Sequence, residues 1–360
     1  MPKGIRKINF SFAADGLTIF GGITLFHQFC KFLKLRHLLQ NYVQWPSYNQ
    51  KKHYPADLFL AHLFAIVAGI GRIQNTQSLI QNGLLPQLLG LPNLPRKDTL
   101  RDFLHRFSPK SLRSLQALHD KVRQNLLERF GPIYSSVVDM DTTVLTVYGH
   151  QEGSSIGYNP FHRGKPSFCP ILSSEGKLGL TLNFEFRPGN IYPSTNAVPF
   201  LEGTINKLPK TLSSTRTRIR ADVSFYNKDV VNFLDENHLY YVIIAKLTDP
   251  IKKILPGIQY HLFHKNWEAG KFYYQPHFWK TEHRFIAIRN QIAENEFPTT
   301  LFSIKDYSYR VLVTNLQLLP EAVWRFYCHR ANQELLIREL KNNFALSKIP
   351  TRAFLANQVY

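Results

Sequence analysis

Hydrophobic positions recur every three or four residues through 25–39, 58–70, 100–107 and 112–130, the spacing of a helix that buries one face. Trp45-Pro46-Ser47 and Pro92-Asn93-Leu94-Pro95 interrupt the pattern, so the first third is predicted to be several short helices. Asp98 stands where the third of these should begin and is the expected N-cap, with Arg101 and Arg106 projecting from the helix.

From residue 133 the pattern changes to β-branched runs and turns. Residues 137–147, 178–187, 217–221 and 240–245 read as strands, with helical stretches at 197–208 and 228–237. Strands and helices in that order indicate a mixed sheet covered by helices. Residues 251–318 resume strand character without helices, at 259–263, 271–274, 284–289 and 309–314, and Pro320 then opens one long helix to about 343. The expected plan is a helical region over 1–130, a sheet core over 131–250, a β-rich insertion over 251–318 and a returning helix over 319–360. The most apolar run, 58–70, contains His62 and is shorter than the roughly 20 residues a membrane span needs. Lys3, Arg6 and Lys7 precede an apolar stretch broken by Asp15 without a cleavage pattern, so neither a signal peptide nor a membrane partner is expected, and the location read from this is cytoplasmic.

A chain of 360 residues with 44% hydrophobic and 19% charged content can bury a large core, which excludes disorder and fibrous classes. Its net charge of +19 points to an acidic partner, nucleic acid before an anionic membrane surface, and away from small-metabolite chemistry. That charge is unevenly spread. Residues 1–130 hold 18 Lys+Arg against 6 Asp+Glu, residues 131–250 hold 11 of each, and residues 251–360 hold 15 against 8. A binding segment followed by a segment that needs acids is the division this suggests. The basic helices could form a helix-turn-helix reader or a packing or dimerisation module with a solvated face. Cys30, Cys169 and Cys328 form no CxxC pair, so no disulfide framework or zinc finger is expected and the thiols read as buried fillers.

Carboxylates inside apolar strands are costly unless a cation or metal balances them. Asp139 and Asp141 interrupt one strand and share a face, and Asp222 closes another. On the returning helix Tyr327, Arg330, Glu334 and Lys341 are spaced by three, four and seven residues and fall on one stripe, whereas Glu339 lies off it. Acids converging from separate elements suit a pair of Mg²⁺ ions and hence phosphodiester chemistry, with Arg330 and Lys341 beside them to hold phosphate. A set of structural ion pairs is the alternative. The 14 His residues show no HExxH spacing, and Gly153-Ser154-Ser155-Ile156-Gly157 lacks the strand-turn-helix context of a nucleophile elbow.

Tyr327-x2-Arg330-x3-Glu334-x6-Lys341 resembles the Y-(2)-R-(3)-E-(6)-K signature of DDE transposases from a group of bacterial insertion sequences. Asp141-Thr142-Thr143 resembles the motif of the first catalytic aspartate in that family. Arg220-Ala221-Asp222-x2-Phe225-Tyr226 resembles that of the second, with Ser224 where Gly is usual, a change expected to hinder any bend needing positive φ. The resemblance extends over nearly the whole chain, through the loops at 157–160 and 187–190. It implies an RNase H-like core in which Asp141, Asp222 and Glu334 hold two Mg²⁺ ions, Mn²⁺ being able to substitute. Asp139 is the alternative first ligand or a support behind it. It also implies nicking by an activated water, attack of the freed 3′-hydroxyl on target DNA, and contacts from Tyr327, Arg330 and Lys341 to DNA near the cut. Trp267 or Trp279 would stack on a flipped base, with a core role as the competing reading for each. The implied partners are double-stranded DNA, as terminal inverted repeats and as target, and a second copy in a homodimer on the nucleoid. Relatives continue past the position of Tyr360, so the resemblance implies a C-terminally truncated copy, either active or a remnant that only binds DNA.

Overall fold

A computed structural model describes residues 18–47, 53–80, 85–91, 93–129, 133–209, 212, 214–291, 303–304 and 307–360. Lys3, Arg6, Lys7, Asp15, Pro92 and Phe130 lie outside the described residues. The chain forms two compact units, Met1–Leu118 with Lys341–Tyr360, and His119–Leu340.

In the first unit the helices are α1 (Ile23–Phe32), α2 (Leu35–Tyr42), α3 (Pro55–Val67), α4 (Gln77–Ile80), α5 (Leu85–Leu88), α6 (Lys97–His105) and the start of α7 (Pro109–Arg129). The single period over 25–39 is split between α1 and α2 by Lys34, whose φ of 54° stops the first helix. Proline opens α3, where its missing N–H is no loss. Burial of Leu39, Leu58, Phe64, Leu100 and Phe103 makes the core. His62 lies in that core, and burial pushes it down to about 4, so it is neutral and engages the Leu100 carbonyl at 3.3 Å. Asp98 is not the cap of α6. Arg96 occupies that position without a side-chain bond, and Asp98 sits in the first turn paired with Arg101 at 3.1 Å, where it meets both the helix dipole and a cation.

The second unit is built on one sheet. Its strands are β1 (Ser136–Thr142), β5 (Ile171–Glu175), β6 (Leu180–Glu185), β7 (Thr217–Ala221), β8 (Tyr240–Ile244), β9 (His261–His264), β10 (Trp267–Tyr274), β11 (His283–Gln291), β12 (Ser303–Ile304) and β13 (Tyr307–Thr314). Strands β2 (Leu145–Thr146), β3 (Ser155–Ile156) and β4 (Pro166–Phe168) form a separate small sheet. The main order is β6-β5-β1-β7-β8-β13-β11-β10-β9, with β12 on β13. An antiparallel meander, β1-β5-β6, is followed by β7 and β8 parallel to β1, which is the RNase H-like order. Residues 251–318 extend this sheet through the antiparallel pair β8–β13. They are not wholly without helix, because α10 (Asp249–Ile254), with Pro250 in its first turn, runs into them.

Period two decides which side chains meet which layer. Val138 and Met140 enter the core shared with α8 (Ala197–Ile205) and α9 (Lys228–Glu236), so Asp139 and Asp141 face the other way. On the opposite face, Val242, Ile286 and Leu312 pack under Val323 and Trp324 of α11 (Pro320–Cys328). The long helix expected after Pro320 is two helices, α11 and α12 (Ala331–Asn342), followed by α13 (Phe354–Val359). At the break the N–H groups of Arg330 and Gln333 donate three residues back, to Tyr327 and Arg330, so the turn tightens without proline or glycine. Cys30 and Cys169 are buried, but Cys328, at the end of α11, is exposed and not the filler expected.

Candidate active site

Three elements bring the acids toward one guanidinium. Asp141 is the next-to-last residue of β1 and only 8% exposed, and its Oδ1 accepts the Thr142 N–H at 2.8 Å. Its Oδ2 lies 2.9 Å from Nη2 of Arg330, whose Nη1 reaches Oε1 of Glu334 at 3.3 Å. Asp222 follows β7 and accepts from the N–H (3.0 Å) and hydroxyl (3.3 Å) of Ser224. Ser224 is not at positive φ, so the bend after β7 needs no glycine, and the hydroxyl adds a donor that glycine would lack.

The electrostatics show how closely the groups share a field. Burial raises Asp141 to about 7; Arg330 pulls it down, while Asp222 and Glu334 push it up. Asp222 is raised by burial against the same Arg330 and with the same Glu334. Arg330, itself buried, is held above its ordinary value by Asp141, Tyr327, Asp222 and Glu334 acting against desolvation. Tyr327, in the last turn of α11, has its phenol pushed to about 12 by burial, and Trp324 stacks against it at 6.2 Å. Lys341, on the last turn of α12, belongs to the first compact unit. Arg101 and Arg106 are in that unit too; Arg106 donates to the Ser47 carbonyl at 3.5 Å.

Asp139 is otherwise engaged. Nε and Nη2 of Arg220 take both of its oxygens at 2.7 Å, and Nη1 donates to the Phe326 carbonyl on α11 at 2.7 Å. One buried guanidinium thus ties β1, β7 and α11 together. The sequence held its signal, a cation two residues before Asp222 on the same strand face, but the parallel register that sets Arg220 opposite Asp139 is visible only in the fold. Glu175 is a further buried acid that pattern reading passed over. It accepts from the Ser136 hydroxyl and from the N–H groups of Val137, Lys177 and Leu178, fixing the start of β1 and the β5–β6 turn.

Carboxylate oxygens are the donors a hard divalent cation takes; buried Asp141 meets the repulsion of half-buried Asp222 and of Glu334, whose side chain is 67% exposed, and Arg330 only partly offsets it. Among the described residues no group of three His, Cys, Asp or Glu side chains is close enough to hold a metal ion. Arg330 stands between Asp141 and Glu334 instead. Buried Nε of Arg330 has no hydrogen-bond partner among the described residues, a donor left over for an anionic oxygen. Of the two tryptophans, Trp279 is buried against Tyr226 at 5.3 Å, in the core. Trp267 stacks on Trp324 at 5.9 Å and lines a cleft of about 410 Å³ with Phe263 and Arg325.

The family model described as transposase DDE domain group 1 matches residues 2–360. No curated protein matches the chain. Among solved structures, the piggyBac transposase synaptic complex with hairpin DNA aligns with a TM-score of 0.49 and 12% identity, covering 92% of this chain and 73% of that one. The Mos1 transposase paired-end complex with the left transposon end aligns with a TM-score of 0.23 and 13% identity, covering 62% and 78%. For the Mos1 mariner paired-end complex with Mn the TM-score is 0.23 and the identity 14%, with the same coverage.

Proposed function

The chain belongs to the DDE transposase family, domain group 1, and from that premise we propose that it is the transposase of a bacterial insertion sequence, cutting DNA and joining the freed ends to a target. The observation that carries the reading is that Asp141, Asp222 and Glu334, from a strand end, a strand-to-loop turn and a helix, act on the same buried Arg330. These three acids are the residues to hold Mg²⁺ or Mn²⁺. Bound there, such ions supply Lewis acidity to the phosphate and lower the pKa of the attacking water.

The chain's own groups have distinct tasks. Arg330 neutralises Asp141 and Glu334 until a DNA phosphate offers a competing charge-assisted bond, and its unpaired Nε is ready to donate. Tyr327 and Lys341 act with it on the backbone near the cut. Trp267, which lines the cleft beside Trp324, is the tryptophan to stack on a flipped base. Arg101 and Arg106, in the most basic third of the chain, contribute to capture of the duplex, where each phosphate contact releases counterions. Two copies bring two element ends together inside the cell, with inverted repeats and target DNA as partners. No helix among the described residues is long and apolar enough to cross a membrane.

The test is cleavage of a duplex carrying the DNA that flanks the gene. Wild type should nick it only with Mg²⁺ or Mn²⁺, and Glu334→Gln should bind it but cut roughly a hundredfold or more slowly. Salt-sensitive binding without cleavage by wild type would overturn the enzyme reading in favour of a DNA-binding remnant.

A further inference from the structure

The chain leaving β1 builds a rigid aromatic face. Tyr148, Tyr158 and Phe161 are 73, 78 and 80% exposed, and Tyr192 on the neighbouring turn is 77% exposed. One exposed aromatic is ordinary, but four on neighbouring segments whose backbones are tied to one another call for a partner. The Tyr148 ring lies 5.9 Å from that of His162, with its hydroxyl 3.4 Å from Nε2. Gly157, beside Tyr158, packs backbone against backbone on Gly189, three residues before Tyr192; a Cβ on Gly157 would come within 1.9 Å of the Gly189 carbonyl oxygen.

This face does not rest on a loose loop. Buried Asn159 donates to the Thr146 hydroxyl at 2.9 Å and accepts the His162 N–H at 3.0 Å. Buried Arg187 donates to the carbonyls of Cys169 and Thr195 at 3.2 and 3.0 Å. The Lys165 N–H closes a turn on the His162 carbonyl, with Gly164 at φ +75°. A backbone held this way has little further freedom to lose when something stacks on the rings it carries. The patch also rises from the end of β1 that carries Asp141: the Thr143 N–H donates to the Pro170 carbonyl, and Leu145 pairs with Phe168.

Its charge selects the partner. Residues 148–166 contain Arg163 and Lys165, both exposed, with His150 and His162, against Glu152 alone among carboxylates. Aromatic rings interleaved with cations form a platform for nucleic acid. Bases inside a duplex hide their faces on one another, so only unpaired bases present a surface to these rings. We infer that the face made by Tyr148, Tyr158, Phe161 and Tyr192 stacks on unpaired DNA bases beside the cut, with Arg163 and Lys165 on their phosphates. This rests on the transposase reading and adds the ligand it recognises outside the acid site.

The full chain is titrated by fluorescence anisotropy with a blunt duplex and with the same duplex bearing a short unpaired thymidine tail. Wild type should prefer the tailed DNA, by roughly five- to a hundredfold for each stacked base. Tyr158→Ala with Phe161→Ala should bind the two DNAs alike, while Tyr158→Phe with Phe161→Tyr, which keeps both rings, should retain the preference. Equal binding of the two DNAs by wild type, or a tail preference that survives the alanine pair, overturns the inference and leaves the transposase reading standing. Loss of dimers in the alanine pair with an unchanged tail preference also overturns it, by making the patch a contact between copies. Failure of wild type to bind either DNA removes both readings.

Discussion

Arg330 spends two nitrogens of one guanidinium on two carboxylates, Asp141, which the fold has moved out of water, and Glu334, whose side chain stays 67% exposed. Even so, Asp141 remains raised from 3.8 to about 7, because burial and the neighbouring acids outweigh that cation. A carboxyl whose folded value lies above its unfolded one contributes stability that is present below about 4 and is lost as pH rises through about 7. Without divalent cations, Asp141→Asn should therefore gain on wild type across that window. The difference in Tm between variant and wild type is expected to grow by a few degrees from pH 4 to pH 8; a constant difference would contradict the assignment of a raised carboxyl. At this scale the sequence pointed to the acids that act on Arg330. Asp141 stands out from Asp139 by the residues that follow it, and the structure gives Asp139 another occupation, as the bidentate partner of Arg220. That partnership depends on the β1–β7 register, which hydrophobic spacing does not encode.

Arg220 acts between elements. It joins the strand of Asp141, the strand that ends at Asp222 and the carbonyl at Phe326, four residues before Arg330. Breaking a buried ion pair on one side leaves an uncompensated charge and costs about 3–5 kcal/mol. Arg220→Met should thus destabilise the chain by that amount in urea titration. Changing Asp139→Leu together with it should recover a large part of the loss, because the stranded carboxylate is then gone. If the double variant is as unstable as the single, the ion pair is not what holds these elements. Element boundaries were less legible than the residues they carry. The break between α11 and α12 preserves the four-residue step from Arg330 to Glu334, so a period count runs through it unchanged. The same blindness joined α1 to α2, since only the positive φ of Lys34 separates them.

For the whole molecule, the alternation of strands and helices announced a mixed sheet, but the order of its strands came from the pairing alone. The extension from β8 through β13 to β9 is one example: local patterns marked four strands after residue 251 without showing that they continue the same sheet. Charge divides the molecule along similar lines, with the cations concentrated in residues 1–130 and the acids balanced in residues 131–250. The central claim is that acids from three separate elements of that neutral segment and the returning helix form one cation-holding site. Mn²⁺ binding followed by electron paramagnetic resonance on the full chain at pH 8, with a DNA duplex present to draw Arg330 away, tests it without requiring turnover. Wild type should bind Mn²⁺, and Asp141→Asn, Asp222→Asn and Glu334→Gln should each weaken it by roughly tenfold or more. Mn²⁺ affinity equal in wild type and all three variants would contradict the account.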